Sequence, residues 1–307
     1  MHRLAALATL IPIVACSGPA APPTLADELA PYAETVANSV MQLQDALGRR
    51  YDALPQLYAQ ITDMRMGVNV AIALDTAARV PTEETDQAAL DRYLDYGAEL
   101  LSAMADLDAA IAVQDVGAAS LAAARIDIAA GEAALDLPPA LCVLAVPPSS
   151  RDFCDRVEPI GEYEQSLERV FLEFVANYRP FLRLPEAFGD VVRGGVLTEA
   201  APSISNLFAD TASRLDALAP DQPHAAVHEA LSSFIANTRM RWERVDPEQA
   251  DLLIGQLLIA DLRDITCSSD QEVGAARALL LGAVPDSAVP RITSIFFDDP
   301  DAGCVDL

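Results

Sequence analysis

The sequence predicts an all-α protein built as two tandem helical bundles, and three observations predict it. Apolar residues recur every three or four positions along almost the whole chain, helix-starting residues precede those runs, and the alternating stretch GVNVAIAL continues a helical face. In chain order, Leu57, Ile61, Met64, Val68 and Ile72 give that first face. Leu90, Tyr93, Leu94, Gly97, Leu101, Met104, Leu107 and Ile111 give a second, on a helix that Thr82 would cap. Tyr163, Leu167, Val170, Phe171, Phe174 and Tyr178 form a third. Pro223 would open a helix that turns Val227, Leu231, Phe234 and Ile235 inward. Asp246, Pro247 and Gln249 supply an N-cap, a first-turn proline and a capping-box residue for a helix running to Cys267. Ser269 and Glu272 repeat the box for a further helix, which Gly282 would stop.

The N-terminus carries an address. Arg3 precedes an apolar run, Leu4 to Ala15, far shorter than the roughly 20 residues a membrane-spanning helix needs, so residues 1–15 read as a signal peptide. The run ends Ile13-Val14-Ala15-Cys16, which resembles the lipobox of bacterial lipoproteins. That resemblance implies acylation of the Cys16 sulfur and cleavage just before it. It also implies a diacylglyceryl anchor in the cell membrane or outer membrane, firm because two chains hold where one does not. The competing reading is an ordinary cleaved signal ending at Ala15, with Cys16 incidental. Residues 16–24 then form a proline-rich spacer of about 3 Å per residue.

Composition narrows the partners. All 20 basic residues are Arg, against 46 acids, and the net charge of −26 becomes −27 once Arg3 leaves with the signal. Nucleic acid is excluded, since phosphate binding relies on clustered cations. An acidic domain is also repelled by anionic lipid, which leaves the lipid anchor as the expected membrane contact. Gln256 and Asp261 interrupt the longest apolar run outside the leader, so no transmembrane helix is expected there. Cys142, Cys154, Cys267 and Cys304 form an even set in an exported chain, with three pairings open. Sequence proximity favours Cys142 with Cys154 and Cys267 with Cys304, worth about 3 and 4 kcal/mol by loop entropy. A metal site would need closer C-x-x-C spacing.

The chain divides near VPPSSRDFCDRVEP into unit 1, residues 25–157, and unit 2, residues 158–307. LPQLY at Leu54 parallels LPEAF at Leu184, LDTAARVP at Leu74 parallels LDALAP at Leu215, and each unit ends in a cysteine pair. An internal duplication and chance matching of Ala-rich sequence both account for this. All nine Phe and the single Trp lie after residue 150. Aromatics need a wider interior, so a pocket for an apolar ligand is expected among Phe171, Phe174, Phe208, Phe234 and Trp242, against the plainer reading of a core of larger residues.

Catalytic motifs are scarce: there is no G-x-S-x-G, no H-E-x-x-H, no P-loop and no Lys. APDQPHAAVHEAL places His224 and His228 one helical turn apart with Asp221 at the helix start, a spacing that suits Zn or Cu; the bland alternative is that both close the end of the core. Met41, Met64, Met66 and Met104 fit core filling better than soft-metal binding. DDPDAGC at the end lacks the distal acid of a calcium loop and reads as a turn. LDALAPDQPHAAVHEAL resembles a pattern of helical lipoproteins from high-GC bacteria, a group that lends no activity. The expected function is a non-enzymatic binding or interaction protein of the envelope, without a cofactor, whose partner is a protein or an apolar small molecule. Metal handling through His224 and His228 is the alternative, and an enzyme comes third.

Overall fold

A computed structural model describes residues 23–155, 161–245 and 252–297, and every regular element among them is helical. Thr24 caps α1 (Leu25–Leu47). Its hydroxyl accepts from the Asp27 amide at 3.3 Å while the Asp27 carboxylate accepts from the Thr24 amide at 2.9 Å. α2 (Leu54–Met64) ends at Arg65, whose φ of +50° is left-handed, and α3 (Met66–Ala77) begins at once. The expected continuous face is therefore broken. Leu57 and Ile61 are buried, but the turn at Arg65 rotates α3 so that Met66, Val70 and Leu74 face the core, leaving Val68 and Ile72 56% and 62% exposed.

α4 (Gln87–Ala112) and α5 (Val116–Asp136) form a hairpin. Asp86, not Thr82, occupies the N-cap position of α4, and the Thr82 hydroxyl donates instead to the Val80 carbonyl at 3.0 Å. The short α6 (Pro139–Ala145) and a 3-10 turn (Pro148–Phe153) close the first half, where Cys142 is disulfide-bonded to Cys154 with their Cα atoms 5.7 Å apart. Cys267 is disulfide-bonded as well, and its expected partner Cys304 lies outside the described residues.

The second half comprises α7 (Gly161–Leu182), α8 (Gly189–Asp216), α9 (Ala225–Trp242), α10 (Leu252–Ala283) and α11 (Val289–Phe297). Here α10 corrects an expectation, being one helix where two were read. Ser269 lies inside it, buried, and Gly282 falls in its last turn. A capping box serves free amides at a helix start; with neither proline nor a positive-φ residue between 267 and 273 the backbone ladder continues and leaves none to cap. The expected start at Asp246 to Gln249 and the terminal DDPDAGC lie outside the described residues. No described helix is long and apolar enough to cross a membrane.

Parts of the packing order are alike in the two halves, though α2, which packs on α1 and α4, has no counterpart among the described residues of the second. α1 packs on α3 and α6, α3 on α4 and α4 on α5; likewise α7 packs on α8 and α11, α8 on α9 and α9 on α10. α8 also packs on α10, with no comparable pairing of α3 and α5. Yet the halves share one core, because α5 packs on α7 and α8 and the buried apolar residues run as one cluster from Leu29 to Phe297. At this seam Gly131 lets α5 approach α7 so closely that a Cβ there would stand 3.0 Å from that of Ala176. Arg179 of α7 adds hydrogen bonds of 2.8 and 2.9 Å to Asp152, and its guanidinium lies 5.5 Å from the centre of the Phe153 ring.

A carboxylate also sits where α5 meets its neighbours. Burial pushes Asp127 up to about 6, against the pull of the hydrogen bond that Gln44 donates at 2.7 Å and the positive charge of Arg183. The folded pKa lies above the unfolded value near 3.9, so ionising Asp127 costs stability as pH rises from about 4 to about 6. Asp127→Asn keeps an acceptor for Gln44 and removes that cost. Urea unfolding should show the variant about 1–3 kcal/mol more stable than wild type at pH 7.5 and nearly equal to it at pH 4. A variant no more stable at pH 7.5 would sink this account.

Candidate functional site

The histidines lie where the sequence places them, on the inner side at the start of α9. His224 precedes the first residue of α9 and is 5% exposed, with its amide bonded to the Asp221 carbonyl at 3.0 Å, while His228 is half-buried one turn on. His224 Nδ1 meets Asp221 as expected. Its Nε2 meets Glu164 of α7 at 2.8 Å, a residue the motif did not include. Glu164 is fully buried, and besides His224 it accepts from the Ser287 hydroxyl at 2.5 Å and the Ala288 amide at 3.1 Å, both on the connection into α11. The missed residue had a signal: Glu164 falls in the apolar register of Leu167, Phe171, Phe174 and Tyr178, where an acid is buried unless the stripe ends.

Charge decides what this cluster does. Burial disfavours the His224 imidazolium, but the hydrogen bonds it donates to the Asp221 and Glu164 carboxylates, with their charges, outweigh it and hold the pKa above the ordinary histidine value. His228 goes the other way, lowered by burial despite the charge of Asp216. Burial, with the charges of Asp221 and Glu164, raises the Tyr163 hydroxyl above the ordinary tyrosine value, so it stays protonated and can donate to His228 Nδ1, 3.2 Å away. The Tyr163 ring also packs on that of His224, with centroids 4.9 Å apart. Both nitrogens of His224 are thus taken by carboxylates of the chain itself. Among the described residues no set of three or more His, Cys, Asp or Glu side chains is arranged to hold a metal ion.

The five aromatic residues expected to line a pocket are each 2% exposed or less. They pack ring on ring: Phe174 meets Phe208 edge-on at 4.9 Å and Tyr178 meets Trp242 at 6.4 Å, while α11 adds Phe296 and Phe297 to the same stack. Such rings fill space by edge-to-face contact, and here they form the interior of the second half.

An opening exists in the first half. α3 and α4 touch at Gly97, whose missing side chain leaves room for Leu74; a Cβ there would fall 2.2 Å from Leu74 Cδ2. Farther along α4, the bend between α2 and α3 lines a pocket of about 580 Å³. That volume is within the range for small-molecule sites, roughly 300–1,000 Å³. Its floor comes from Leu43 of α1, Ile61 of α2, Met66 of α3, and Leu101, Met104 and Leu107 of α4. Thr62, Arg65 and Asp108 supply polar groups at its rim. Burial raises the Asp108 carboxyl above the ordinary aspartate value. A second hollow between α4 and α5, about 410 Å³, is walled by Ala98, Ser102, Ala103 and Ala129 and offers little apolar depth. The left-handed backbone at Arg65, on the edge of the larger pocket, has no sequence marker, because neither Gly nor Asn stands there. Comparison of the chain with protein-family models, curated proteins and solved structures finds no match.

Proposed function

We propose that the chain is a lipid-anchored extracytoplasmic protein that binds a small apolar molecule, without chemically altering it, in the pocket between the α2–α3 bend and α4. The pocket carries this reading: an aliphatic floor with polar groups confined to its rim suits an apolar molecule with one polar end. The leader and Cys16 supply the anchor. Disulfide bonding at Cys142, Cys154 and Cys267 fits an oxidising compartment. The Glu164–His224 cluster serves as a structural tie among α7, α9 and α11 in this reading.

Native mass spectrometry of protein extracted from its own envelope tests both parts. The expected result is a diacylglyceryl mass increment on Cys16 and a co-purifying small molecule that is missing from an Ala105→Trp variant, since Ala105 is an exposed residue of the pocket wall. An unmodified thiol at position 16 would remove the anchor. An adduct retained by Ala105→Trp would place the ligand elsewhere.

A further inference from the structure

We infer that the pocket takes one aliphatic chain bearing a single anionic head group, with the chain on the Leu43–Met104 floor and the head against Arg65. The inference rests on the binding reading above and deepens it. No aromatic side chain lines the pocket, so a planar ring would find nothing to stack on, whereas Met66 and Met104 adapt to a flexible chain. The lining contains one cation, Arg65, and its guanidinium fork matches carboxylate and phosphate oxygens alike. The same residue carries the left-handed backbone, which for a non-glycine residue costs on the order of 1–2 kcal/mol and tends to persist where a ligand is gripped. Asp108, the one acid of the lining, leaves no place for a second negative group. Because burial favours its neutral form, it opposes the first less than an ordinary aspartate would.

Isothermal titration of the full chain with four ten-carbon probes, each below its micelle-forming concentration, tests the assignment. Decanoate and decyl phosphate stand for the two head groups; decanol and decyltrimethylammonium are the neutral and cationic controls. The expected result is one-to-one binding of at least one anion, about tenfold or more tighter than either control. The better anion names the head group. Arg65→Gln should bring that anion down to the level of decanol. Arg65→Gly, which suits the left-handed backbone, should do the same if the first variant fails to fold. Ala105→Trp should abolish binding of every probe. Decanol binding as tightly as both anions, or anion affinity unchanged in both Arg65 variants, would overturn the anionic assignment and leave the pocket reading standing. Absence of binding by all four probes, or binding unaffected by Ala105→Trp, would overturn the pocket reading and this inference with it.

Discussion

Glu164→Ala is expected to destabilise the protein by about 3–5 kcal/mol, the cost of breaking a buried pair by removing one partner. The carboxylate is fully buried and receives His224 Nε2, the Ser287 hydroxyl and the Ala288 amide. Alanine leaves all three facing a small cavity, with the imidazolium then carried by the exposed Asp221 alone. Equilibrium urea unfolding measures the loss, and a change below about 1 kcal/mol would show that Glu164 is not what ties α11 to α7 and α9.

The cluster also predicts a pH signature. The folded pKa of His224 is raised, so its contribution is complete below the unfolded value near 6.5 and is lost as pH rises through the folded value above that. His228 is lowered, so its contribution is complete above about 6.5 and is lost as pH falls through its folded value. The two windows lie on opposite sides of 6.5 and can be read separately. Glu164→Gln, which retains an acceptor and removes the charge, should flatten the alkaline limb and leave the acidic limb in place. An unchanged alkaline limb would mean that Asp221 alone supports the charge on His224.

Gly131→Leu is expected to cost about 3 kcal/mol or more, at or beyond the upper end for overpacking a core. A Cβ at Gly131 would meet the Ala176 Cβ at 3.0 Å, a tight contact with an atom that has no rotamer to change. With the Ala176 Cα at 3.4 Å and carbonyl oxygen at 3.5 Å already in van der Waals contact, the further atoms of leucine have no room beside that backbone. Gly131→Ala should be far milder, since a gain of about 1 kcal/mol in helix propensity offsets a single tight contact. Ala176→Gly should then rescue part of the loss in the Gly131→Ala background and none of it in the Gly131→Leu background. Denaturation midpoints of these four proteins and the two double variants decide the matter. Equal midpoints for wild type and Gly131→Leu would mean that α5 and α7 are not packed as described.

The helices were legible because their apolar period survives in almost every segment. Leu167, Phe171, Phe174 and Tyr178 are buried as their spacing requires, and Val227, Leu231, Phe234 and Ile235 likewise. Helix ends were less legible. Ser269 and Glu272 have a capping pattern, yet a pattern cannot stop a helix whose neighbours favour continuation. Arg65 shows the reverse, an interruption at a residue with no preference for it, set by packing on both sides. The site divided along the same line. Asp221, His224 and His228 are local in sequence and were found together. Glu164 comes from 60 residues earlier and Ser287 from beyond α10, so only the fold could add them. The aromatic residues expected to line a pocket pack ring on ring, whereas the pocket beside the α2–α3 bend has no aromatic lining, so residue size alone does not mark where space lies.

The seam at α5 bears on how the molecule is made. A ribosome delivers α1 to α6 first, and the alanine-lined wall of α5 that will later meet α7 is then still wet. The early half therefore waits, incompletely stabilised, until its sister arrives, and a nascent chain arrested near residue 157 should be prey for proteases and holding chaperones although every one of its own helices has been synthesised.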